Sequence, residues 1–203
     1  MTVSLVIDTA TARTIVGLIR DGDIVWQGFH DGATDHGNAV ADLVKQALTA
    51  GVNPDRVVVG MGPGPFTGLR VGIVTAAVFA HAREISIHGI CSLDAVAFDF
   101  AKPCVVVTDA RRKELYWARY EEIRIGEPQV SKPEAIASQF PDADFVGPGV
   151  NLYPDCVSGK VMELKAGSLA KLFASGSAQL VDVSPMYLRK PDAVEPTTRK
   201  SVL

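Results

Sequence analysis

A glycine-rich turn is the first feature of this 203-residue chain whose residue types could do chemistry. The segment Gly62-Pro-Gly-Pro65 follows an apolar run at residues 56–61 and precedes a long apolar stretch from Phe66 to about Arg83. A turn that opens a helix leaves free N–H groups that can bind an anion. A phosphate loop of the GxxxxGKS/T type also needs a lysine, which this turn lacks. The geometry of helix entry explains the glycines equally well.

The side chains that usually carry catalysis are not spaced for it. The four histidines show neither HxxxH nor HxH spacing, so no metal site is predicted. There is no GxSxG nucleophile elbow. The cysteines form no CxxC pair and are predicted to be small buried side chains in a reducing cytosol: Cys91, Cys104 and Cys156. We therefore predict no catalytic residue and disfavour peptidase chemistry.

Two aspartates occupy matching places in the chain, each directly after an apolar run typical of a buried strand. Asp8 follows residues 3–7, and Asp109 follows residues 104–108. Strand-forming segments come next in both cases, and in the first case the dipeptide Asp21-Gly22 is a strong hairpin signal. The repeated order of elements predicts a duplicated fold with a cleft between its halves.

Alternating helices and strands complete the two halves. The first half is predicted to contain a hairpin of strands at 14–20 and 23–29, helices at 36–49, 66–83 and 93–100, and strands at 56–61 and 87–90. The second half is predicted to contain strands at 114–120, 144–146 and 186–188 and helices at 133–140 and 168–174. The pattern predicts an α/β fold with mixed sheets. The expected boundaries are 1–101, 102–189 and a loose polar tail at 190–203.

Composition excludes several classes of protein. With 47% hydrophobic residues and a net charge of -3, the chain is not of the disordered type. The slight acidity argues against a surface that grips nucleic acid unaided. No run approaches the roughly 20 apolar residues of a membrane helix, and the first residues have no basic region of a signal peptide. A cytoplasmic protein without membrane contact is expected.

Four segments resemble the motifs of one known family. Residues 62–72, GPGPFTGLRVG, resemble the GPGSFTGxRxG signature of the TsaB family, also called YeaZ. Residues 7–11 resemble its opening IDTST, residues 109–120 its DARxxEVYxAxY, and residues 185–189 its closing PxYLR. One departure is Pro65, which stands where the family usually has serine and is well tolerated at the start of a helix.

The resemblance implies both a fold and a function. The fold would be that of actin, sugar kinases and Hsp70, built from two ribonuclease-H-like halves. The function would be a non-catalytic role in making N6-threonylcarbamoyladenosine beside the tRNA anticodon. The implied partners are a TsaD-type transferase, which the chain would bind and activate, and a TsaE-type P-loop ATPase. Contact with tRNA would be indirect, and a homodimer of the free chain stays open.

In active members of that fold, nucleotide phosphates lie between two turns that follow the first strand of each half. The corresponding residues here are Asp8 and Thr9 in one turn and Asp109 and Arg111 in the other. Neither turn contains the glycine that close approach to a phosphate favours. We therefore expect no cofactor bound by this chain alone, with ATP or ADP at the junction with the partner left open. The alternatives are a small ATP-dependent kinase and, with less support, a glycoprotease-like peptidase.

The helix at 66–83 is too apolar for an ordinary surface helix, and a spacing of 100° per residue separates two faces. One face carries small residues that allow close packing on the sheet: Gly68, Gly72 and Ala76. The other, flanked by Val78, is predicted to contact the partner: Arg70, Ile73, Val74, Ala77 and His81. The competing interpretation packs this second face under the chain's own second half.

Overall fold

The computed structural model describes residues 1–32 and 34–189. Three antiparallel strands open the chain: β1 (Val3–Asp8), β2 (Arg13–Arg20) and β3 (Asp23–Asp31). Asp21 and Gly22 both have positive φ, at 48° and 93°, as the tight hairpin between β2 and β3 requires. Every residue of β1 is buried, which makes this strand the centre of the first sheet.

The first sheet continues through alternating helices and parallel strands. The elements that follow are α1 (His36–Leu48), β4 (Arg56–Gly60), α2 (Phe66–Ala82), β5 (Ser86–Ile90) and α3 (Ser92–Phe100). Strand β4 runs parallel to β1, and β5 runs parallel to β4. Helices α1 and α2 pack side by side, and apolar residues of both join one buried cluster with β1, β2 and β4.

The second sheet repeats this order in a shorter form. Its elements are β6 (Cys104–Asp109), β7 (Leu115–Tyr120), β8 (Arg124–Ser131), α4 (Pro133–Gln139), β9 (Phe145–Val146) and β10 (Gly159–Lys160). Strands β6, β7 and β8 form an antiparallel meander, and β9 runs parallel to β6. Asp8 faces Ile15 and Asp109 faces Leu115 across equivalent hairpins. The predicted α/β fold with mixed sheets and a duplicated topology is confirmed.

Two helices link the halves, because each packs against the sheet of the other half. Helix α3 packs against β6, β7 and β9, whereas α5 (Ala166–Ala174) packs against β1, β2 and β4. A buried cluster of ion and hydroxyl groups fixes α3 in place. Arg124 Nη1 donates to both carboxylate oxygens of Asp94 at 2.9 and 3.1 Å, and the Tyr120 hydroxyl donates to the same carboxylate at 2.7 Å. Breaking a buried pair of this kind leaves an uncompensated charge, so the cluster holds the halves in one arrangement.

The structure departs from the predicted elements at three places. Strand β8 was not predicted, because Gly126 and Pro128 interrupt its alternation of apolar and polar residues. Both residue types are tolerated here because β8 is an edge strand. The short strand β10 was also not predicted. The strand predicted at 186–188 is wrong, since those residues are irregular, and β11 (Leu180–Val181) pairs antiparallel with β5 instead. The first sheet therefore has the order β11-β5-β4-β1-β2-β3.

Within residues 1–32 and 34–189, no helix is long and apolar enough to cross a membrane. The tail predicted at 190–203 lies outside the described residues. The predicted boundary between residues 101 and 102 falls between α3 and β6 and stays a prediction, because β11 returns the chain to the first sheet.

Candidate functional site

The carboxylate of Asp8 lies fully buried at the end of β1, where the cleft between the halves begins. One oxygen accepts the N–H of Ala10 at 2.7 Å, and the other accepts the hydroxyl of Ser92 at 2.5 Å. The Ser92 oxygen in turn accepts the N–H of Gly62 at 3.1 Å. A Cβ at Gly60 would overlap the Asp8 carboxylate, so this position accepts no larger residue. Asp8 thus ties β1 to β4, to the glycine-rich turn and to α3.

Burial dominates the acid–base behaviour of Asp8. It raises the pKa of the carboxyl from 3.8 to about 6, although the bonds from Ser92 and from the Ala10 N–H act in the opposite direction. A carboxyl placed to hold a metal or to move a proton must be reachable. Asp8 is instead enclosed by its own hydrogen-bond partners.

The hydroxyl of Thr9 is inserted into helix α2. It donates to the carbonyl of Gly68 at 2.7 Å and accepts the N–H of Gly72 at 3.1 Å. A Cβ at either glycine would collide with Thr9, and a Cβ at Gly64 would collide with the carbonyl of Ala10. The first predicted nucleotide turn is therefore filled by the glycine-rich turn and by α2. Gly68 and Gly72, together with the buried Ala76, lie on the inner side of the helix.

The second predicted nucleotide turn repeats the first in outline. One carboxylate oxygen of Asp109 accepts the N–H of Arg111 at 2.7 Å, just as Asp8 accepts the N–H of Ala10, which also lies two residues later in the chain. The other oxygen of Asp109 lies 3.2 Å from the Arg111 guanidinium. Arg111, Arg112 and Lys113 then adopt left-handed backbone conformations, with φ of 58°, 54° and 60°. That conformation costs roughly 1–2 kcal/mol per residue for side chains other than glycine, so other contacts must hold the turn.

The closing motif supplies those contacts. Arg189 Nη1 donates to the carbonyl of Ala110 at 2.9 Å, and the same guanidinium forms an ion pair with Glu114. Two residues earlier, the ring of Tyr187 stacks on Phe66 with centroids 4.8 Å apart. Residues 185–189 therefore join the second turn to the start of α2.

Three of the four motifs line one place, which we call the cleft mouth, and the first motif adjoins it through Ala10, which lies against Gly64. A cavity of about 150 Å³ remains there between Gly64, Phe66, Arg111, Tyr187 and Arg189. Sites that enclose drug-sized ligands usually measure about 300–1,000 Å³. The cleft mouth therefore has room for one ionic group or part of a base, but not for a whole nucleotide. Among the residues that the structure describes, no three His, Cys, Asp or Glu side chains form a group that could hold a metal ion.

The outer side of α2 faces solvent along most of its length. Val74 and Val78 are 55% and 62% exposed, and Arg70 and His81 are also exposed. We call these four residues the α2 outer face; Ala77, beside them, is half-buried.

Ile73 is a correction, because it does not belong to this surface. It is only 5% exposed and packs in the core with Leu69 and Ala76, four residues before it and three after it. Residues at these spacings are neighbours on a helix surface, and the packing of Leu69 and Ala76 in the core brings Ile73 inward with them.

Sequence reasoning missed two contributors to the site. Ser92 lies 84 residues from Asp8, and no local pattern marks it as the partner of a buried carboxylate. Arg189 was recognised only as part of a motif, whereas the structure shows it locking a strained turn 79 residues away. In both cases the signal lies in the fold.

A family model described as TsaD, tRNA N6-adenosine threonylcarbamoyltransferase, matches residues 31–192. The tRNA threonylcarbamoyladenosine biosynthesis protein TsaB of Escherichia coli is 28% identical over 217 residues, which cover 91% of this chain and 94% of that protein. The chain belongs to the TsaB (YeaZ) family of tRNA threonylcarbamoyladenosine biosynthesis. An uncharacterized protein of Mycobacterium tuberculosis is 39% identical over 199 residues, covering 93% of this chain and 92% of that protein.

Solved structures place the TsaB-family chain in a wider fold. YeaZ from Pseudomonas aeruginosa superimposes with a TM-score of 0.75 at 25% identity, covering 93% of this chain and 100% of that one. A putative N-acetylglucosamine kinase from Porphyromonas gingivalis reaches a TM-score of 0.55 at 9% identity, covering 87% and 100%, which concerns the fold alone. The expected actin and sugar-kinase type of fold is confirmed.

The fit of α2 against Thr9 makes Gly72 intolerant of even one methyl group. We expect Gly72→Ala to lower the free energy of unfolding by about 1–3 kcal/mol, because its Cβ would overlap the Thr9 hydroxyl. Adding Thr9→Ala should restore part of that loss, which a double-mutant cycle by urea denaturation measures. Gly37→Ala in α1 is the control, since a Cβ there meets nothing within 4 Å. Equal tolerance at both glycines would contradict the described fit.

The raised pKa of Asp8 makes a second prediction. Between pH 3.8 and about 6 the unfolded chain releases this proton and the folded chain keeps it, so the folded state loses stability as the pH rises. Asn at this position carries no such cost. The stability of Asp8→Asn relative to the native chain should therefore increase by about 2 kcal/mol from pH 4 to pH 8, since one pKa unit equals about 1.4 kcal/mol and a small part of the change precedes pH 4.

The measurement is urea denaturation of both chains at the two pH values. Asp109→Asn is the matched control, because that carboxylate makes the same turn bond from a partly exposed position. A relative stability of Asp8→Asn that stays constant with pH would show that the carboxyl is not enclosed as described.

Proposed function

We propose that this chain is a non-catalytic subunit that binds and activates a TsaD-type transferase in the synthesis of N6-threonylcarbamoyladenosine beside the tRNA anticodon. The observation that carries the proposal is the double role of helix α2. Its inner side fills the first turn of the cleft through Gly68 and Gly72, and its outer side exposes Val74 and Val78. A helix that blocks a cleft while presenting an apolar surface suits a regulatory subunit better than an enzyme.

The proposed chemistry belongs to the partners. The cavity of about 150 Å³ leaves no room for a whole nucleotide at the cleft mouth, so the proposal places none there. A nucleotide used by the assembly would then lie at the junction with the transferase or on a TsaE-type P-loop ATPase. The kinase alternative would need the first turn to open. In the structure Thr9 is hydrogen-bonded to Gly68 of α2, and Gly64 packs against Ala10.

The peptidase alternative finds no nucleophile at the cleft mouth. Burial raises the pKa of the Cys91 thiol far above its usual value, which disfavours the reactive thiolate. The hydroxyl of Ser92 is buried and donates to Asp8.

The docking surface in this proposal is the α2 outer face. Its centre is apolar, at Val74 and Val78, and the polar side chains Arg70 and His81 lie toward its two ends. Apolar centres with polar margins are the usual anatomy of protein interfaces. The same surface would serve a homodimer when the transferase is absent.

Substitution of Val74 tests this function directly. Val74→Glu should leave the thermal midpoint nearly unchanged, since exposed substitutions usually cost within about 0.5 kcal/mol. It should abolish pairing with the transferase, because the interface would bury an unpaired charge. Sedimentation of the mixed subunits measures the pairing, and Val161→Glu, at a position 41% exposed, is the matched control. A Val74→Glu chain that still pairs, or that unfolds, overturns the assignment.

A further inference from the structure

A cavity of about 650 Å³ lies between the two halves, away from the cleft mouth. Helix α3 forms one wall, the turn between β7 and β8 forms the second, and the segment from α5 to β11 forms the third. Its volume is within the range of about 300–1,000 Å³ that is usual for small-molecule sites, and such sites favour the junctions between domains. None of the described residues that line it belongs to the α2 outer face or to the cleft mouth.

Apolar side chains line all three walls of the cavity: Ala97, Phe98, Ala101, Pro103, Ile123 and Leu172. Two of them, Phe98 and Ile123, remain exposed although they are large. Two side chains of opposite charge, Lys102 and Glu122, also line the cavity and are exposed, and neither forms an ion pair among the residues that the structure describes. The cavity therefore suits a ligand with an apolar body and a small polar group.

The polar group that the cavity would recognise is indicated by Arg124. This residue lines the cavity, and its side chain is only 5% exposed. Nη1 donates to the carboxylate of Asp94, so that nitrogen is occupied. Nε is buried without a hydrogen-bond partner, and Nη2 forms no hydrogen bond with any described residue. Since buried donors are nearly always paired, the Nε–Nη2 edge of this cation lacks an acceptor.

The shape of that edge matches a carboxylate, because its two parallel N–H groups fit two oxygens in one plane. The chain uses the same edge elsewhere: Arg13 donates to the two oxygens of Asp31 from Nε at 2.6 Å and from Nη2 at 3.0 Å. At Arg124 the described residues supply no such carboxylate, since Asp94 engages Nη1 alone. The neighbouring thiol of Cys91 supplies no charge, because burial raises its pKa and keeps it protonated.

We propose that this cavity binds a small monocarboxylate with an apolar body, its carboxylate on the Nε–Nη2 edge of Arg124 and its body against Phe98 and Ile123. The ammonium group of Lys102 complements the negative charge of the ligand. Because the walls come from both halves, the bound acid would contact both. The site is independent of the proposed function, since it shares no residue with the α2 outer face.

Titration of the full-length chain with 4-phenylbutyrate, followed by protein NMR, tests the site. The acid should bind saturably with a Kd in the millimolar range or below, as expected for a ligand of this size. The Nε–H resonance of Arg124 should move, because its edge gains an acceptor, and so should the methyl resonances of Ile123. The uncharged 4-phenylbutanol should bind roughly tenfold more weakly or less. Absence of saturable binding by the acid, or binding that leaves the Arg124 resonance in place, overturns the proposal.

Two variants separate the charged group from the apolar wall. Arg124→Lys keeps a cation beside Asp94 but removes the fork, so it should weaken 4-phenylbutyrate binding roughly tenfold. Ile123→Ala changes an exposed side chain, so it should weaken binding several-fold and leave the thermal midpoint nearly unchanged, even if Arg124→Lys does not fold. Val161→Ala is the matched control, because it shortens an exposed apolar side chain outside the cavity. Equal affinities of Ile123→Ala and Val161→Ala contradict the proposal.

Two further probes establish that the site selects a single negative charge. Inorganic phosphate should not displace 4-phenylbutyrate at equal concentration, because its second charge would meet the carboxylates of Asp94 and Glu122 in the same cavity. The cation 4-phenylbutylamine should bind more weakly than the acid. Displacement by phosphate would identify a phosphate site, and tighter binding of the amine would identify a cation site at Glu122; either result overturns the proposal.

Discussion

The hydroxyl of Thr9, set between the carbonyl of Gly68 and the N–H of Gly72, is the contact on which the arrangement of the cleft depends. It can form only where the helix has no side chain, because a Cβ at Gly72 would overlap the Thr9 hydroxyl and a Cβ at Gly68 would approach the Thr9 carbonyl too closely. With α2 seated there, the glycine-rich turn lies directly against Ala10, because a Cβ at Gly64 would overlap the Ala10 carbonyl. The buried Asp8 then becomes part of the support of this turn.

This seating of α2 fits the proposed non-catalytic role within a fold that a putative sugar kinase shares. The duplicated halves, the two hairpins and the aspartates at the ends of β1 and β6 are all present. The closing motif spans the cleft through Arg189 and Tyr187, so the halves are held at a fixed separation. What remains available to other molecules is the surface, and the α2 outer face with the exposed Val74 and Val78 forms part of it.

Much of the fold could be predicted because its strands and helices carry strong local patterns. The run at β1, the Asp21-Gly22 hairpin and the long apolar helix all appear close to their predicted limits. Strand β8 could not be predicted, since Gly126 and Pro128 weaken the pattern of an edge strand. Helical spacing alone could not decide whether Ile73 faces inward, because it lies at the border between two faces and only the packing of α2 fixes the border.

The site was predictable in its residues but not in its contacts. Asp8, Thr9 and the glycines were recognisable from the motifs, whereas the insertion of Thr9 into a helix nearly 60 residues away follows only from tertiary packing. The same holds for the bond from Ser92 to Asp8.

Calorimetric titration of the isolated chain with Mg-ATP tests the central claim most directly. A cleft filled by α2 predicts no saturable heat and no hydrolysis in the absence of partner subunits. Micromolar binding with turnover by the chain alone would contradict this account of the cleft.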